Sequence, residues 1–225
     1  MSEMKIEDIM DDLFKREKND KLERYRHLNK FVKKGQILFT GSSLMEQFPI
    51  NEIAMTNGID AIIYNRGIGG YTIPEMLDAM DEQIFALEPS KIFINIGTND
   101  ISREDETIEM LIDDYRKVLL QIKERLPKAK VYMMAYYPVN VSVAENQPWQ
   151  GAKRAAELRL QRLDKANAAV KELAAEFGYF FIDVNDGLTD ESGQTKAEYS
   201  IDGIHMWSDA YEIVFNNMKE YLNLL

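Results

Sequence analysis

The chain has no cysteine in its 225 residues. That excludes a disulfide framework, a zinc–thiolate site and a thiol nucleophile. Histidine is nearly as scarce: His27 and His205 are the whole supply, so chemistry that needs an imidazole has two places to find one. Positive charge is in deficit, with 27 Lys and Arg against 38 Asp and Glu and a net charge of −11. A general nucleic-acid binder would show a basic footprint, and this chain does not. No apolar run approaches the roughly 20 residues that span a bilayer, so integral membrane association is not expected. The opening MSEMKIEDIMDD lacks the basic-then-apolar order of a secretory signal, and a cytoplasmic location is expected. What is present is ordinary for a globular protein: 45% hydrophobic and 29% charged residues, at a length suited to one sizeable domain.

Charge is unevenly spread. Lys15 to Lys34 hold nine basic and three acidic residues, a net of +6 that leaves −17 for the rest. The expected structure is an N-terminal helical extension over 1–34 whose Ile6, Ile9, Leu13 and Phe14 pack on the domain while its charges face water; membrane contact is the rival reading. From 35 to 225, strand-like and helix-like segments alternate. Short apolar runs occur at QILFT (36–40), AIIYN (61–65), KIFINI (91–96), KVYMMAY (130–136) and YFFIDV (179–184), the pattern of strands buried on both faces. Between them, Ile108, Leu111, Ile112, Tyr115, Leu119, Ile122 and Leu126 mark one helix, with Ser102 as its expected cap. Another runs from about Lys153 to Phe177 and stops at Gly178. The last follows Ser208 as N-cap. Five buried strands alternating with helices predict an α/β fold with a parallel sheet between helical layers, and a single domain over 1–225.

In an open α/β sheet, ligands bind beyond the carboxyl ends of the strands. The first strand runs into Gly41-Ser42-Ser43, the second into NRGIGGYT and the third into GTND; the fifth is followed some twenty residues later by DGIH. These exits supply a hydroxyl, backbone N–H groups, a side-chain amide, a carboxylate and an imidazole. An acyl-transfer site requires those parts. His27 lies in the charged N-terminal segment, far from any strand exit, and reads as a surface residue. His205 follows Asp202 by three residues, a spacing that lets the carboxylate reach one ring nitrogen while the other faces a serine.

The residues resemble those of the SGNH (GDSL-type) hydrolase family. GSSL at 41–44 is similar to the family's GDSL block, NRGIGG at 65–70 to its glycine block, GTND at 97–100 to its GxND block and DGIH at 202–205 to its DxxH block. All four stand in family order. The resemblance implies a three-layer, flavodoxin-like sandwich with a five-stranded parallel sheet. It also implies a carboxylic ester hydrolase that uses no cofactor. Carried over, Ser43 is the nucleophile, Asp202 and His205 complete the triad, and Gly70 and Asn99 join the Ser43 N–H in the oxyanion hole. The chain departs from the commonest pattern at Ser42, where the family often has Asp, and at Met206. Ser42 is expected to bond the local backbone, as turn serines do.

A rival reading takes NRGIGGYT as the phosphate loop of a non-hydrolytic nucleotide or phosphate binder, but G-x-G-x-x-G would need Gly or Ala where Thr72 stands. A metal site at Asp202, His205 and Asp209 would have one usable histidine and no thiol, and none is expected. The substrate is expected to be a small-molecule ester, the activity an acyl esterase or acylhydrolase of lysophospholipase or deacetylase type. The loop YYPVNVSVAENQPWQ (136–150) offers Tyr137 and Trp149 as walls of an acyl pocket. No nucleic-acid partner is expected; a homo-oligomer is left open, as are the acyl-chain length and the kind of alcohol.

Overall fold

The computed structural model describes residues 6–149 and 151–223. Helix α1 (Ile6–Leu28) and a 3-10 turn precede β1 (Ile37–Gly41). Two short helices, α2 (Ser43–Glu46) and α3 (Ile50–Thr56), lead to β2 (Ile63–Asn65). Then come α4 (Ile73–Asp78), α5 (Met80–Gln83), β3 (Lys91–Asn95), α6 (Ile108–Arg125) and β4 (Lys130–Met134). A short α7 (Val141–Glu145) and a long α8 (Ala152–Phe177) bring the chain to β5 (Phe180–Ile182), and α9 (Ser208–Asn223) follows. All strand pairs are parallel, in the order β2-β1-β3-β4-β5. The fold is thus the expected α/β sandwich with a five-stranded parallel sheet and an added N-terminal helix.

The strands read as continuous apolar runs because helices cover both faces of the sheet. Leu38, Ile92, Ile94, Val131 and Met133 point to one core, filled from α4, α6 and α8. Their neighbours Phe39, Phe93, Tyr132 and Met134 point to the other, filled from α2, α3 and α9. On this second face the register aligns Phe39, Phe93, Tyr132 and Phe180 across four strands. Their rings stack at 4.8, 4.7 and 4.9 Å between centroids. At the sheet edge β5 covers three residues and Phe180 is half exposed, so this strand is not buried on both faces as its run suggested.

Several local expectations are corrected. Helix α6 is capped by Thr107, whose hydroxyl accepts from the Met110 N–H at 3.2 Å; Ser102 instead donates to the Thr98 carbonyl at 2.7 Å. Ser208 is the first helical residue of α9 and not the one before it. Helix α8 does stop at Gly178, which has φ +73°.

Helix α1 docks by a different face from the one expected. Ile9, Leu13 and Phe14 are exposed, and the Ile6 side chain lies outside the described residues. Leu22 and Tyr25 pack on the core instead. Lys18 pairs with Glu75 at 2.7 Å, Lys21 with Glu46 at 2.9 Å and Arg26 with Glu82 at 2.5 Å. Part of the basic face therefore lies on acidic residues of the domain, with Lys18 and Lys21 mostly covered and Arg26 half exposed. Arg66 completes the seam, with its guanidinium 4.9 Å from the Tyr25 ring and 5.5 Å from the Tyr64 ring. His27 is exposed, as expected.

Candidate active site

The order in which strands are added across the sheet reverses after β2, so the crevice opens between the carboxyl ends of β1 and β3. Strand β1 ends on Gly41, where the backbone runs hard against β3. A Cβ there would stand 2.0 Å from the Asn95 carbonyl oxygen, and φ is +149°. Only glycine tolerates that approach. Two residues on, Ser43 opens α2 and is half-buried. Ser42 turns inward instead. Its side chain is fully buried, and its hydroxyl has no hydrogen-bond partner among the described residues, contrary to the expectation that it would bond the local backbone.

His205 comes from the loop before α9. Its Nε2 lies 2.9 Å from Ser43 Oγ, and its Nδ1 lies 2.6 Å from Asp202 Oδ2. Asp202 Oδ1 also accepts from the backbone N–H groups of Ile204 and His205, at 2.9 and 2.8 Å. Burial alone would raise the Asp202 pKa, but the hydrogen bonds from His205 and Ile204 outweigh it and hold the carboxyl well below the usual range. Asp202 therefore stays ionised and fixes the imidazole with a proton on Nδ1, leaving Nε2 able to accept from the serine. The three residues that the sequence singled out form one hydrogen-bonded line.

Gly70 and Asn99 face the same cavity as Ser43. Asn99 Nδ2 donates one hydrogen to the Tyr71 carbonyl at 2.9 Å, which fixes the amide and leaves its second hydrogen for the cavity. Residues that the sequence reading passed over hold this loop. Glu46, one turn after Ser43 on α2, accepts from the Gly69 N–H at 2.6 Å. Asn65 donates to the Met45 carbonyl at 2.6 Å and accepts from the Gly67 N–H at 2.9 Å. Lys18 of α1 donates to the Gly70 carbonyl at 2.9 Å. Glu46 stands two residues past the serine block and Asn65 opens the glycine block, so position alone could have marked both. These contacts also bear on the phosphate-loop rival: the N–H groups of Gly67 and Gly69 already serve side-chain oxygens, and one of those oxygens belongs to a carboxylate.

The cavity has a volume of about 800 Å³. Phe14, Leu158, Ile204 and Trp149 supply apolar lining, so the structure brings Trp149 to the site. Tyr137 is not there. It is fully buried on the far face, edge-on to Tyr211 at 6.5 Å between centroids, because the chain leaving β4 turns that side chain into the second core. Among the described residues, no group of three or more His, Asp or Glu is placed to hold a metal ion. Nor is any helix there long and apolar enough to cross a membrane.

A serine hydroxyl, an imidazole and a carboxylate in line beside a side-chain amide are the parts that a serine hydrolase site requires. Residues 51–213 match the model of the GDSL-like Lipase/Acylhydrolase family, and the chain belongs to that family. The match begins after Ser43, so that residue lies outside it. A solved structure from Streptococcus pneumonia, provisionally named a platelet activating factor, is 30% identical with a TM-score of 0.82, over 95% of this chain and 96% of that one. The acetylxylan esterase of Geobacillus stearothermophilus shares the fold at 18% identity and a TM-score of 0.63, over 86% and 97% of the two chains. The N-acylneuraminate cytidylyltransferase of Escherichia coli is 25% identical over 199 residues, 85% of this chain. This chain spans about two fifths (41%) of that relative's length. The protein is a carboxylic ester hydrolase of the GDSL-like type.

Proposed function

We propose that the protein removes short acyl groups from sugar-sized polar alcohols through an acyl-enzyme on Ser43. The observation that carries the mechanism is the continuous line Asp202–His205–Ser43. Ser43 Oγ attacks the ester carbonyl while His205 Nε2 takes its proton and then delivers it to the departing alcohol. Asp202 remains ionised and stabilises the imidazolium. The N–H groups of Ser43 and Gly70 and the Asn99 amide receive the negative oxygen of the tetrahedral intermediate. Water, deprotonated by His205, then releases the acid from Ser43. The polar alcohol is supported by the charged side chains that line the cavity, Lys18, Arg103, Glu104 and Arg154 among them, and by the likeness to an esterase named for acetylated xylan.

The test is a fluorophosphonate probe alongside nitrophenyl esters of graded chain length. The wild type should be labelled and should favour acetate over longer chains. Ser43→Ala should lose both labelling and turnover, while Ser42→Ala keeps most of each. Label that persists in Ser43→Ala and vanishes in Ser42→Ala would overturn the assignment of the nucleophile; a preference for long chains would overturn the substrate class.

A further inference from the structure

Helix α8 carries an apolar stripe at helical spacing: Ala152, Ala156, Leu163, Ala166 and Val170. Arg159 occupies the stripe position between Ala156 and Leu163. Its side chain is 1% exposed, yet it lines the cavity that holds Ser43 and His205. Nε donates to Ser102 Oγ at 3.1 Å. Nη1 is buried and meets no acceptor among the described residues. Every other cation of the cavity wall has a carboxylate partner: Lys18 has Glu75, Lys21 has Glu17 and Glu46, Arg103 has Asp105, and Arg154 has Glu104. Burying a guanidinium without a counter-ion is costly, and an apolar side chain would complete the stripe at no such cost. Burial lowers the Arg159 pKa to about 10, with the field of Asp202 opposing, so the group is charged at neutral pH.

We propose that Arg159 forms an anion subsite of this cavity and that the ester cleaved beside it carries a carboxylate held by the Arg159 guanidinium. The proposal rests on the esterase reading of the site. Carboxylate is favoured over phosphate because a phosphate monoester would call for more donors than Arg159, the one cation without a carboxylate partner among the described residues of the cavity.

The decisive pair of substrates is an O-acetylated hexuronic acid and its primary amide, which differ only in the charge at issue. The wild type should prefer the acid by about tenfold or more in kcat/KM, expressed mainly in KM. In Arg159→Met the ratio should fall to about one, and Arg159→Lys should restore part of it. A merely structural arginine would change both substrates alike and leave the ratio intact. A ratio near one in the wild type, or one that survives in Arg159→Met, overturns the proposal. Should Arg159→Met not fold, free hexuronate against hexuronamide as inhibitors of the wild type decides the same point: only the acid should compete. An O-acetylated hexose phosphate cleaved in preference to the acid would reject the carboxylate. Titrating the acetylated acid and its amide into Ser43→Ala by calorimetry separates the two readings. Binding of the acid alone supports the subsite even if the wild type cleaves neither ester, whereas cleavage of both esters at equal rate leaves the esterase and removes the subsite.

Discussion

At the end of β3 the side chains of Asn99 and Asp100 both reach the loop that follows β2. Asn99 holds the Tyr71 carbonyl, and Asp100 accepts from the Ile73 N–H at 3.0 Å. Both side chains thus reach beyond their own turn, further than the local capping that is the bland alternative for such a pair. Asn99→Ala should cost about 10²–10³-fold in kcat with little change in KM, as expected for a donor whose benefit appears in the transition state. Loss of the Tyr71 bond should lower unfolding stability by about 1 kcal/mol. An unchanged kcat would remove Asn99 from the oxyanion hole. Asp100 has a different signature. Burial raises its pKa from 3.8 to about 6, with the Ile73 hydrogen bond opposing. The folded state therefore holds this proton more tightly than the unfolded state does. The stabilisation is complete below about pH 4 and is lost as pH rises through 6, a contribution of about 2–3 kcal/mol. Asp100→Asn keeps an acceptor for Ile73 and removes the titration. In denaturant unfolding at stepped pH, its stability relative to wild type should climb between pH 4 and 6. A difference that stays flat across that window would show that Asp100 ionises as freely in the folded state as in the unfolded one.

Among the elements, the strands were legible because buried parallel strands must be apolar on both sides. Their ends were less so, since the partner strand decides where pairing stops, as at Ile63 and Ile182. The aromatic ladder shows what register adds. Phe93 stacks on two neighbours in the middle of the sheet, whereas Phe180 stacks on one at a half-exposed edge. Phe93→Ala should cost about 3–5 kcal/mol in denaturant unfolding, and Phe180→Ala clearly less. Equal losses would mean that the rings act through local burial at each site and not through the stack. Helix α1 was misread for a physical reason: hydrophobic periodicity marked Ile9, Leu13 and Phe14 as the docking face, but Glu46, Glu75 and Glu82 of the domain drew the basic face inward. Charge complementarity of that kind is written in two distant segments and shows in neither alone. Arg159 was readable in principle, since a single charge stands on the otherwise apolar stripe of α8, but the many charges of that helix mask it until the 3.6-residue period is imposed.

Across the whole molecule, the site is assembled from distant parts of the chain: Ser43 after β1, Gly70 after β2, Asn99 after β3, and Asp202 with His205 just before α9. The strand exits were legible from the sequence because the fold rule fixes their edge of the sheet. The seating of the Asp202–His205 loop was not, because it depends on what stands behind it. The Gly203 carbonyl accepts from the Asn140 N–H at 2.8 Å, and the Gly203 N–H donates to Ser200 Oγ at 2.8 Å. Gly203 has φ +94°, and a Cβ there would stand 2.5 Å from the Ala144 Cβ, 2.6 Å from the Ala144 nitrogen and 2.6 Å from the Asn140 carbonyl oxygen. Two of those three atoms are backbone and cannot swing aside. The segment after β4 is thus the anvil against which the loop is set, and Tyr137, wrongly expected in the pocket, belongs to the packing beneath it. Gly203→Ala adds a single methyl group without touching the triad. It must push the loop away from α7, carrying His205 out of line with Ser43. The expected result is a fall in kcat and in the rate of fluorophosphonate labelling, together with a stability loss of about 1–3 kcal/mol from the strained backbone. Far-ultraviolet circular dichroism should stay that of the wild type, since no strand or long helix is disturbed. Wild-type labelling and turnover in Gly203→Ala would show that the loop finds its position independently of the segment behind it.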